Sequence, residues 1–246
     1  MLAEVLVMEE FTNEVIEFLE EKLNREIKVK YPWELLQLNL LGNLETNIRG
    51  EIEQTVAIKG EVYVERGTIV KNGTRLEGPV YIGRKSWIGP NAYLRHGTII
   101  TGPKCWLGTT EVKNSIILGH TDAGHLTFIG DSIIGQYCNF GAGTMVANYK
   151  FDAKDIPVYF RQDYDPQKFE TKTNKLGVIM EDGVKTGVNA VILPGSYIGK
   201  GSIIGAGVKV LGYVKPGSRI KKDYFNEKWQ PDNIGWDGQV PLKIKS

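Results

Sequence analysis

The 246-residue chain carries 30 lysines and arginines against 29 aspartates and glutamates, so its formal charge at pH 7 is only +1. A protein that binds nucleic acid through its phosphates needs a clear excess of basic residues, so we expect no nucleic-acid partner. Glycine accounts for 29 residues, about 12% where roughly 7% is usual, while 41% of the residues are hydrophobic. The composition predicts a folded β protein rich in turns.

The cysteines and the first residues of the chain bear on the cellular setting. Cys105 and Cys138 do not form a CxxC motif, so we expect free thiols and a reducing, cytoplasmic environment. The opening sequence MLAEVLVMEEF lacks the basic and long apolar stretches of a signal peptide, and no apolar run long enough to span a membrane occurs. We therefore expect neither secretion nor a membrane partner.

Residues 1–45 show the residue spacing of helices. Apolar residues three and four positions apart in 11–24, such as Val15 and Leu19, and again in 31–41, predict two helices. We expect these helices to form a short N-terminal cap over one open end of the domain that follows, residues 46–220.

From Ile58 the sequence divides into eight consecutive hexads, and each begins with Ile, Val or Leu. The fifth position is small or β-branched in seven of the eight, with Lys104 as the exception, and five more hexads begin at Met180. A period of six fits the two-residue alternation of strands and not the helical 3.6, so short strands joined by turns are predicted. Stacked in parallel, such strands form a β-solenoid, whereas a β-sandwich would need longer strands and more hairpin turns.

These hexads resemble those of the hexapeptide-repeat family. The resemblance implies an all-β fold, a single-stranded left-handed parallel β-helix with three hexads per coil, and a homotrimer with acyl-transfer sites between subunits. Residues 150–176 interrupt the hexads with charged and aromatic residues and are expected to form a long inserted loop, beside a site or in a subunit contact. Residues 221–246 are expected to form a polar C-terminal tail that wraps back on the coil or reaches a neighbour.

The segment 111–149, EVKNSIILGHTDAGHLTFIGDSIIGQYCNFGAGTMVANY, carries the candidate chemistry. It resembles the acetyltransferase half of the bifunctional glucosamine-1-phosphate acetyltransferase and uridylyltransferase enzymes and of their archaeal relatives. The resemblance extends more weakly beyond this segment and includes GPNAYLRHG at 89–97. It implies acetyl-CoA as the co-substrate and an amino-sugar phosphate, or a nucleotide-linked amino sugar, as the acceptor.

Acetyl transfer from a thioester to an amine needs a base for the amine proton and amide donors for the developing oxyanion. His125, within AGHLT, is the candidate base, and the resemblance implies that Glu111 orients it. The small residues Gly141, Ala142 and Gly143 let their backbone amides approach a ligand closely. The resemblance places Ala142 at the thioester. The predicted coenzyme-binding residues are Ala142, Gly143 and Ala206.

The acceptor side of the site rests on the resemblance alone. It implies that Arg95 and Lys113 bind the phosphate, for which a guanidinium fork and a point charge are both suited. The predicted substrate-binding residues are Arg95, Lys113, Asn139, Asn148 and Lys175. Phe128 stands where the family has tyrosine, which removes a hydroxyl that could bind the acceptor. Val188 replaces a coenzyme-binding serine of the family.

Two other functions remain open. His120 and His125 show an H-x4-H spacing that is also found in the hexapeptide-repeat carbonic anhydrases, where three histidines from adjoining subunits bind zinc. Two observations weigh against a zinc site. His96 precedes His120 by one coil plus one further face if three hexads complete a coil. The sequence around His125 resembles the acetyltransferase and not the anhydrase. The second alternative is a catalytically silent partner of a separate nucleotidyltransferase.

Overall fold

The chain folds into a three-sided parallel β-solenoid, which confirms the fold predicted from the hexads. The computed structural model describes residues 2–162 and 165–221, with side chains for 6–160 and 167–221. The chain visits three faces in turn, which we name A, B and C, and each strand pairs in parallel with the strand one coil later. The three corners are named by the two faces that they join.

The strands of each face follow one another along the solenoid axis. Face A consists of β1 (Asn47–Ile48), β4 (Val62–Val64), β7 (Val80–Ile82), β10 (Thr98–Gly102), β12 (Ile116–Leu118), β14 (Ile133–Ile134), β19 (Val178–Met180), β22 (Ser196–Ile198) and β25 (Tyr213–Val214). Face B consists of β2 (Glu51–Ile52), β5 (Ile69–Val70), β8 (Trp87–Ile88), the first parts of β11 (Trp106–Lys113) and β13 (Asp122–Gly130), β15 (Asn139–Phe140), β20 (Lys185–Thr186), β23 (Ile203–Ile204) and β26 (Arg219–Ile220). Face C consists of β3 (Ala57–Lys59), β6 (Arg75–Glu77), β9 (Tyr93–Arg95), the second parts of β11 and β13, β16 (Met145–Val146), β21 (Val191–Ile192) and β24 (Lys209–Val210).

The register of the strands explains the hexads. Val62 pairs with Val80, and Ile69 with Trp87, so three hexads complete each of these coils. Alternation along each strand turns the first and fifth positions of a hexad inward, where successive coils stack into one continuous core. The first-position residues from Val64 to Ile100 are fully buried.

Two hexad positions depart from this pattern for physical reasons. Ile58 is 39% exposed because it lies on β3, the strand that ends face C. Lys104 is exposed because the coil between the paired Trp87 and Trp106 is longer than three hexads by a single residue, so Cys105 takes the inward position. The next two coils, from Trp106 to Asp122 and from Asp122 to Asn139, are shorter than three hexads, which removes the six-residue period from the middle of the sequence.

Two helices precede the solenoid, α1 (Leu2–Leu23) and α2 (Pro32–Leu35). α2 begins at Pro32, where the missing N–H costs nothing, and the Glu34 carboxylate accepts the backbone N–H of Tyr31 at 3.0 Å. The buried side of α1 lies in one apolar cluster with outward residues of face A. The cluster includes Met8, Phe11, Val15 and Leu19 of α1 and Tyr81, Ile99, Ile116 and Ile133 of face A.

The helix therefore covers a side of the solenoid, and not an open end as the sequence suggested. The physical reason lies in the outward positions of face A, which are large apolar or aromatic side chains such as Ile99, Ile116 and Tyr81. An apolar face of this kind has to be removed from water, and an amphipathic helix provides the cover.

The insert at 150–176 forms an antiparallel hairpin of β17 (Val158–Gln162) and β18 (Asp165–Phe169). Ile156, Val158 and Phe160 are buried in the same cluster over face A, and the ring of Phe160 lies 4.5 Å from that of Tyr197. The hairpin therefore extends the cover that α1 provides. Within the described part of the insert, the ends lie near the C/A corner, where the Leu176 N–H donates to the Asn148 carbonyl at 3.1 Å.

The remaining expectations concern thiols, membranes and the tail. Cys105 and Cys138 are buried free thiols, and burial raises their pKa values to about 11 and about 12. Among the helices that the structure describes, none combines the length and the apolar character that a membrane crossing requires. The predicted tail lies outside the described residues, except for Lys221.

Candidate active site

The candidate base lies where two long strands turn the B/C corner. Thr109 of β11 pairs with His125 of β13, and Thr110 pairs with Thr127, so β13 carries one extra residue at this point. The extra residue is Leu126, which is exposed and has a φ of 48°. A bulge of this kind bends the strand and redirects the neighbouring side chains. The side chain of His125 is accordingly exposed at the B/C corner.

The predicted coenzyme residues stack above His125 at the same corner. The carbonyl of His125 accepts the N–H of Gly143 at 3.1 Å, and the carbonyl of Ala142 accepts the N–H of Asn189 at 2.8 Å. In the next coil, the carbonyl of Val188 accepts the N–H of Gly207, the residue after Ala206. Three coil spacings, about 14 Å, thus separate His125 from Ala206. The structure brings His125, Ala142, Gly143 and Ala206 into one column along the solenoid axis.

The three small residues next to His125 differ in what their amides can do. The N–H of Gly141 donates to the Thr186 carbonyl at 2.9 Å, and that of Gly143 donates to the His125 carbonyl. Among the residues that the structure describes, the N–H of Ala142 has no hydrogen-bond partner. Ala142 is therefore the amide of this group that can donate to a ligand.

Arg95 and Glu111 form an ion pair on face C. The Nη2 and Nε atoms of Arg95 donate to Oε1 of Glu111 at 2.6 and 3.0 Å. Glu111 lies beside Tyr93 and Phe128 in the register, and Arg95 lies beside Lys113, so the pair spans the two strands diagonally. No hydrogen bond joins Glu111 to His125 among the described residues. The orienting contact that the resemblance implies is thus not formed within this chain as the structure has it.

Lys113 belongs to a second polar cluster at the C/A corner. Its Nζ lies 3.0 Å from Oδ2 of Asp131, whose side chain is 3% exposed. Asp131 also accepts from Nδ2 of Asn114 at 2.8 Å and from Nδ2 of Asn148. The cluster holds the side chains of Lys113 and Asn148 next to each other. Glu111 balances the charge of Arg95, and Asp131 balances the charge of Lys113.

Phe128 connects these clusters across face C. A Cβ atom added to Gly130 would lie 2.8 Å from Cζ of Phe128 and 2.7 Å from Nδ2 of Asn148. The ring tip of Phe128 therefore points towards the C/A corner, beside Asn148. A tyrosine at this position would place its hydroxyl among the polar groups of that corner. Phe128 therefore removes a hydroxyl from the C/A corner.

Two predicted substrate residues lie apart from the others. Asn139 is on face B, beside Asp122 and Lys185, and so faces away from the groups on face C of the same chain. The Nζ atom of Lys175 lies 3.9 Å from the ring centroid of Tyr149, near the end of the insert. Lys175 precedes Leu176, which is hydrogen-bonded to Asn148, so it lies near the C/A corner.

The three histidines of the metal hypothesis occupy three different corners. The N–H of His96 bonds to Glu77 at the C/A corner, that of His120 bonds to Pro103 at the A/B corner, and His125 lies at the B/C corner. The spacing of one coil plus one face between His96 and His120 is therefore confirmed. Within the described part of one chain, no group of three or more His, Cys, Asp or Glu side chains could hold a metal ion.

Two residues of this region, Asp131 and Trp106, are not among those predicted from the sequence. The Asp131 carboxylate accepts hydrogen bonds from Lys113, Asn114 and Asn148. Its position directly after a strand, in the sequence GDS, is the signal that could have identified it. Trp106 contacts His125 with a ring-centroid distance of 5.5 Å and perpendicular ring planes. The coil that joins Trp106 to Asp122 is shorter than three hexads, so the six-residue period does not predict this contact.

Comparison with known proteins agrees with the fold and the repeat. The family described as bacterial transferase hexapeptide (six repeats) matches residues 177–212. The three-sided coil and its six-residue repeat are those of a hexapeptide-repeat β-solenoid, and the stretch that matches this family lies within the repeat. Relatives of the chain include the bifunctional protein GlmU of Methanocaldococcus jannaschii, 40% identical over 177 residues, which are 71% of this chain and 42% of that protein.

Other relatives show the same partial overlap. The bifunctional sugar-1-phosphate nucleotidylyltransferase/acetyltransferase of Sulfurisphaera tokodaii is 40% identical over 68% of this chain and 42% of its own length. The GlmU protein of Methanococcus aeolicus is 35% identical over 88% of this chain and 52% of its own. The chain therefore spans about half the length of the curated relatives that it matches.

Solved structures give a weaker likeness. The N-acyltransferase AntD of Bacillus cereus, in complex with dTDP and coenzyme A, matches with a TM-score of 0.29 and 16% identity over 67% of this chain and 72% of that chain. The polysialic acid O-acetyltransferase OatWY matches with a TM-score of 0.29 and 17% identity over 74% of this chain and 92% of that chain. Scores at this level do not identify a ligand or a reaction.

Proposed function

We propose that this chain transfers the acetyl group of acetyl-CoA to the amine of an amino-sugar phosphate, similar to glucosamine-1-phosphate, or of a nucleotide-linked amino sugar. The observation that carries the proposal is the column at the B/C corner, in which His125 lies one coil from the free amide of Ala142 and three coils from Ala206. The three relatives named above each match this chain over about half of their own length, and one of them is named as an acetyltransferase.

The groups of this corner account for each proton transfer and bond change in the proposed reaction. The imidazole of His125 takes a proton from the acceptor amine while the amine nitrogen forms a bond to the thioester carbonyl carbon. The carbonyl oxygen gains negative charge, which the N–H of Ala142 can stabilise. The carbon–sulfur bond then breaks, and the proton held by His125 passes to the departing thiolate of coenzyme A. The products are an N-acetyl sugar and free coenzyme A.

Face C provides the path from the base to the acceptor phosphate. Phe128 follows His125 by three residues of β13, just past the bulge at Leu126. Beyond Phe128 lie Arg95 and Lys113, the two cations that we assign to the phosphate. An acceptor whose amine is near His125 thus has its phosphate end towards the C/A corner, close to Asn148 and Lys175.

We also propose a cytoplasmic homotrimer with sites completed between subunits. The outward side of face A is covered by α1 and the hairpin of the same chain, whereas face B exposes large apolar side chains. Trp87 and Trp106 of face B are 42% and 41% exposed, and an exposed apolar surface of this kind is typical of an interface. In a trimer, Asn139 of face B could meet face C of a neighbour. Sedimentation equilibrium tests the assembly, and a monomer would contradict it.

The release of free coenzyme A thiol, measured against a panel of acceptors, tests the reaction. The panel contains glucosamine-1-phosphate, galactosamine-1-phosphate, unphosphorylated glucosamine and a nucleotide-linked amino sugar. We expect release with at least one phosphorylated acceptor, and a much higher KM for unphosphorylated glucosamine. No release with any acceptor would contradict the proposal and favour the silent-partner alternative.

A matched pair of variants tests the phosphate assignment. Arg95→Gln is expected to raise the KM of the phosphorylated acceptor by about tenfold, since a charged hydrogen bond to phosphate contributes about 1.5 kcal/mol or more. Arg75→Gln is the control, because Arg75 occupies the same face one coil earlier and also pairs with a glutamate, Glu77. Equal effects of the two variants would contradict the role of Arg95.

A further inference from the structure

Trp106 lies against the candidate base. Its ring centroid is 5.5 Å from that of His125, and the two ring planes are perpendicular. This edge-to-face arrangement is a preferred geometry for aromatic pairs, so it favours this rotation of the imidazole relative to the indole. Among the described residues, the imidazole of His125 makes no hydrogen bond, so Trp106 provides the ring contact that holds it.

Gly124 makes room for this contact. A Cβ atom added to Gly124 would lie 2.7 Å from Cη2, 2.8 Å from Cζ3 and 3.2 Å from Cζ2 of Trp106. The indole therefore lies directly over the backbone of the residue before His125, and a side chain at Gly124 would push it away. The backbone at Gly124 lies outside the left-handed region, so an alanine there introduces contact without backbone strain.

The usual partner of a catalytic imidazole is a carboxylate, and Glu111, the carboxylate that the resemblance implies for this role, is paired with Arg95 instead. We infer that Trp106 is the positioning residue of His125: its indole holds the imidazole in the orientation that receives the amine proton. This inference rests on the proposed acetyl transfer. Trp106 acts through His125 and takes no part in bond making or proton transfer.

Trp87 is a matched control within the same chain. It pairs with Trp106 in the register, one coil earlier on face B, and is exposed to the same degree. Its ring contacts the Nζ atom of Lys71, 5.1 Å from the centroid, and no histidine. Replacing either tryptophan removes a similar apolar surface from face B, whereas only Trp106 holds the base.

Steady-state kinetics with four variants test the inference. Trp106→Leu is expected to lower kcat about three- to tenfold, the range of an edge-to-face pair, with little change in either KM. Trp106→Phe keeps an aromatic ring and should restore most of kcat, while Trp87→Leu, which removes a similar apolar surface from face B, should lower kcat much less than Trp106→Leu. Gly124→Ala keeps both rings but displaces the indole, and it should lower kcat in the same way as Trp106→Leu.

The opposite pattern would overturn the inference. If Trp106→Leu and Trp87→Leu reduce activity equally, or if Trp106→Phe is as impaired as Trp106→Leu, the tryptophan serves packing or assembly alone. Thermal unfolding of each variant identifies any that fails to fold. Gly124→Ala then carries the test, since it removes no aromatic side chain.

A measurement without substrate separates this inference from the proposed function. The chain has three histidines, so ¹³Cε1-labelled histidine gives three NMR signals, and His125→Asn identifies one of them. The ring current of Trp106 should displace the His125 signal, which should move in Trp106→Leu and stay in place in Trp87→Leu. An unmoved signal would overturn the inference at any level of activity. A moved signal in a protein that releases no thiol with any acceptor would instead contradict the proposed function.

Discussion

The guanidinium of Arg95 and the carboxylate of Glu111 are paired across adjacent coils of face C, with Nη2 of Arg95 2.6 Å from Oε1 of Glu111. The pair connects a predicted phosphate ligand with a predicted partner of the base. It therefore places Glu111 at the acceptor side of the candidate site, where it is joined to Arg95 rather than to the imidazole of His125.

Glu111→Gln distinguishes the two roles of this carboxylate. The amide oxygen of glutamine can still accept from Arg95, while the negative charge is lost from the surroundings of the phosphate. At about 6 Å in a partly exposed site, this removes a repulsion of about 1 kcal/mol per phosphate charge. We expect the KM of a phosphorylated acceptor to fall about fivefold, with kcat within about twofold of the wild type.

The same variant tests the role that the sequence implies. If Glu111 orients His125 during catalysis, kcat will fall by tenfold or more with KM unchanged, and the assignment to the acceptor side will be contradicted. Steady-state kinetics with unphosphorylated glucosamine provide the control, because its KM should not respond to the lost charge.

Asp131 is expected to be the most sensitive polar residue for stability. Its buried carboxylate accepts from Lys113, Asn114 and Asn148, and removal of the acceptor leaves these donors unpaired. We expect Asp131→Ala to lower the free energy of unfolding by about 3 kcal/mol, measured by urea denaturation. Asp131→Asn is the control, because asparagine tolerates the φ of 48° and keeps one acceptor oxygen. An equal loss in both variants would show that charge, not hydrogen bonding, dominates.

Ala142 should control access of the thioester to the corner. A larger side chain at this position would occupy the space next to the one amide of the Gly141–Gly143 group that is free to donate. We expect Ala142→Leu to raise the KM for acetyl-CoA by about tenfold or more, with the acceptor KM little changed. Ala57→Leu, on face C at the first coil, is the control. Unchanged coenzyme kinetics in Ala142→Leu would remove Ala142 from the coenzyme site.

Glu181 predicts a specific pH dependence of stability. Burial raises the pKa of its carboxyl group, although the Tyr197 hydroxyl and the Lys200 N–H donate to it and lower the pKa in part. A carboxyl whose pKa is higher in the folded protein than its ordinary 4.5 stabilises the fold below pH 4.5, and this contribution is lost as the pH rises through the folded value. Relative to Glu181→Gln, the wild type should therefore be more stable at pH 4 than at pH 7.

Thermal unfolding of the wild type and Glu181→Gln at several pH values checks this prediction. The Tm of the wild type minus that of the variant should fall as the pH rises from 4 to 7. A difference that grows over this range would show that the hydrogen bonds from Tyr197 and Lys200, and not burial, govern the carboxylate.

The parts of the fold that follow a strict period could be predicted from the sequence. Val64, Leu76 and Leu94 repeat at multiples of six and are all buried, because three hexads complete one coil. The period fails after Gly102, where the extra residue before Cys105 shifts the inward positions. The shortened middle coils carry the candidate chemistry and show no hexads, so their register could not be derived from spacing alone.

The covering elements were harder to predict than the coils. The apolar stripe of α1, with Val15 and Leu19, predicts burial of one side of a helix but does not specify the surface that it meets. The hairpin around Phe160 likewise depends on aromatic partners such as Tyr197, which lies four strands further along the chain than the hairpin itself. Contacts of this kind are set by the outward residues of face A, which follow no motif.

The members of the candidate site remain a prediction from the sequence, whereas the contacts between them could be described only from the structure. His125, Ala142 and Ala206 are aligned because they occupy the same corner of different coils. The contact of His125 with Trp106 lies next to the bulge at Leu126, a single inserted residue in β13. A one-residue change in strand register has no signature in residue type.

Acetyl transfer by wild-type protein and by His125→Asn, measured as kcat for coenzyme A release at saturating acetyl-CoA and acceptor, tests the proposed mechanism most directly. Asparagine has a similar shape but cannot take up the amine proton, so we expect kcat to fall by about a thousandfold, with both KM values and the Tm nearly unchanged. A variant that keeps the wild-type kcat would contradict the role of His125 as the base.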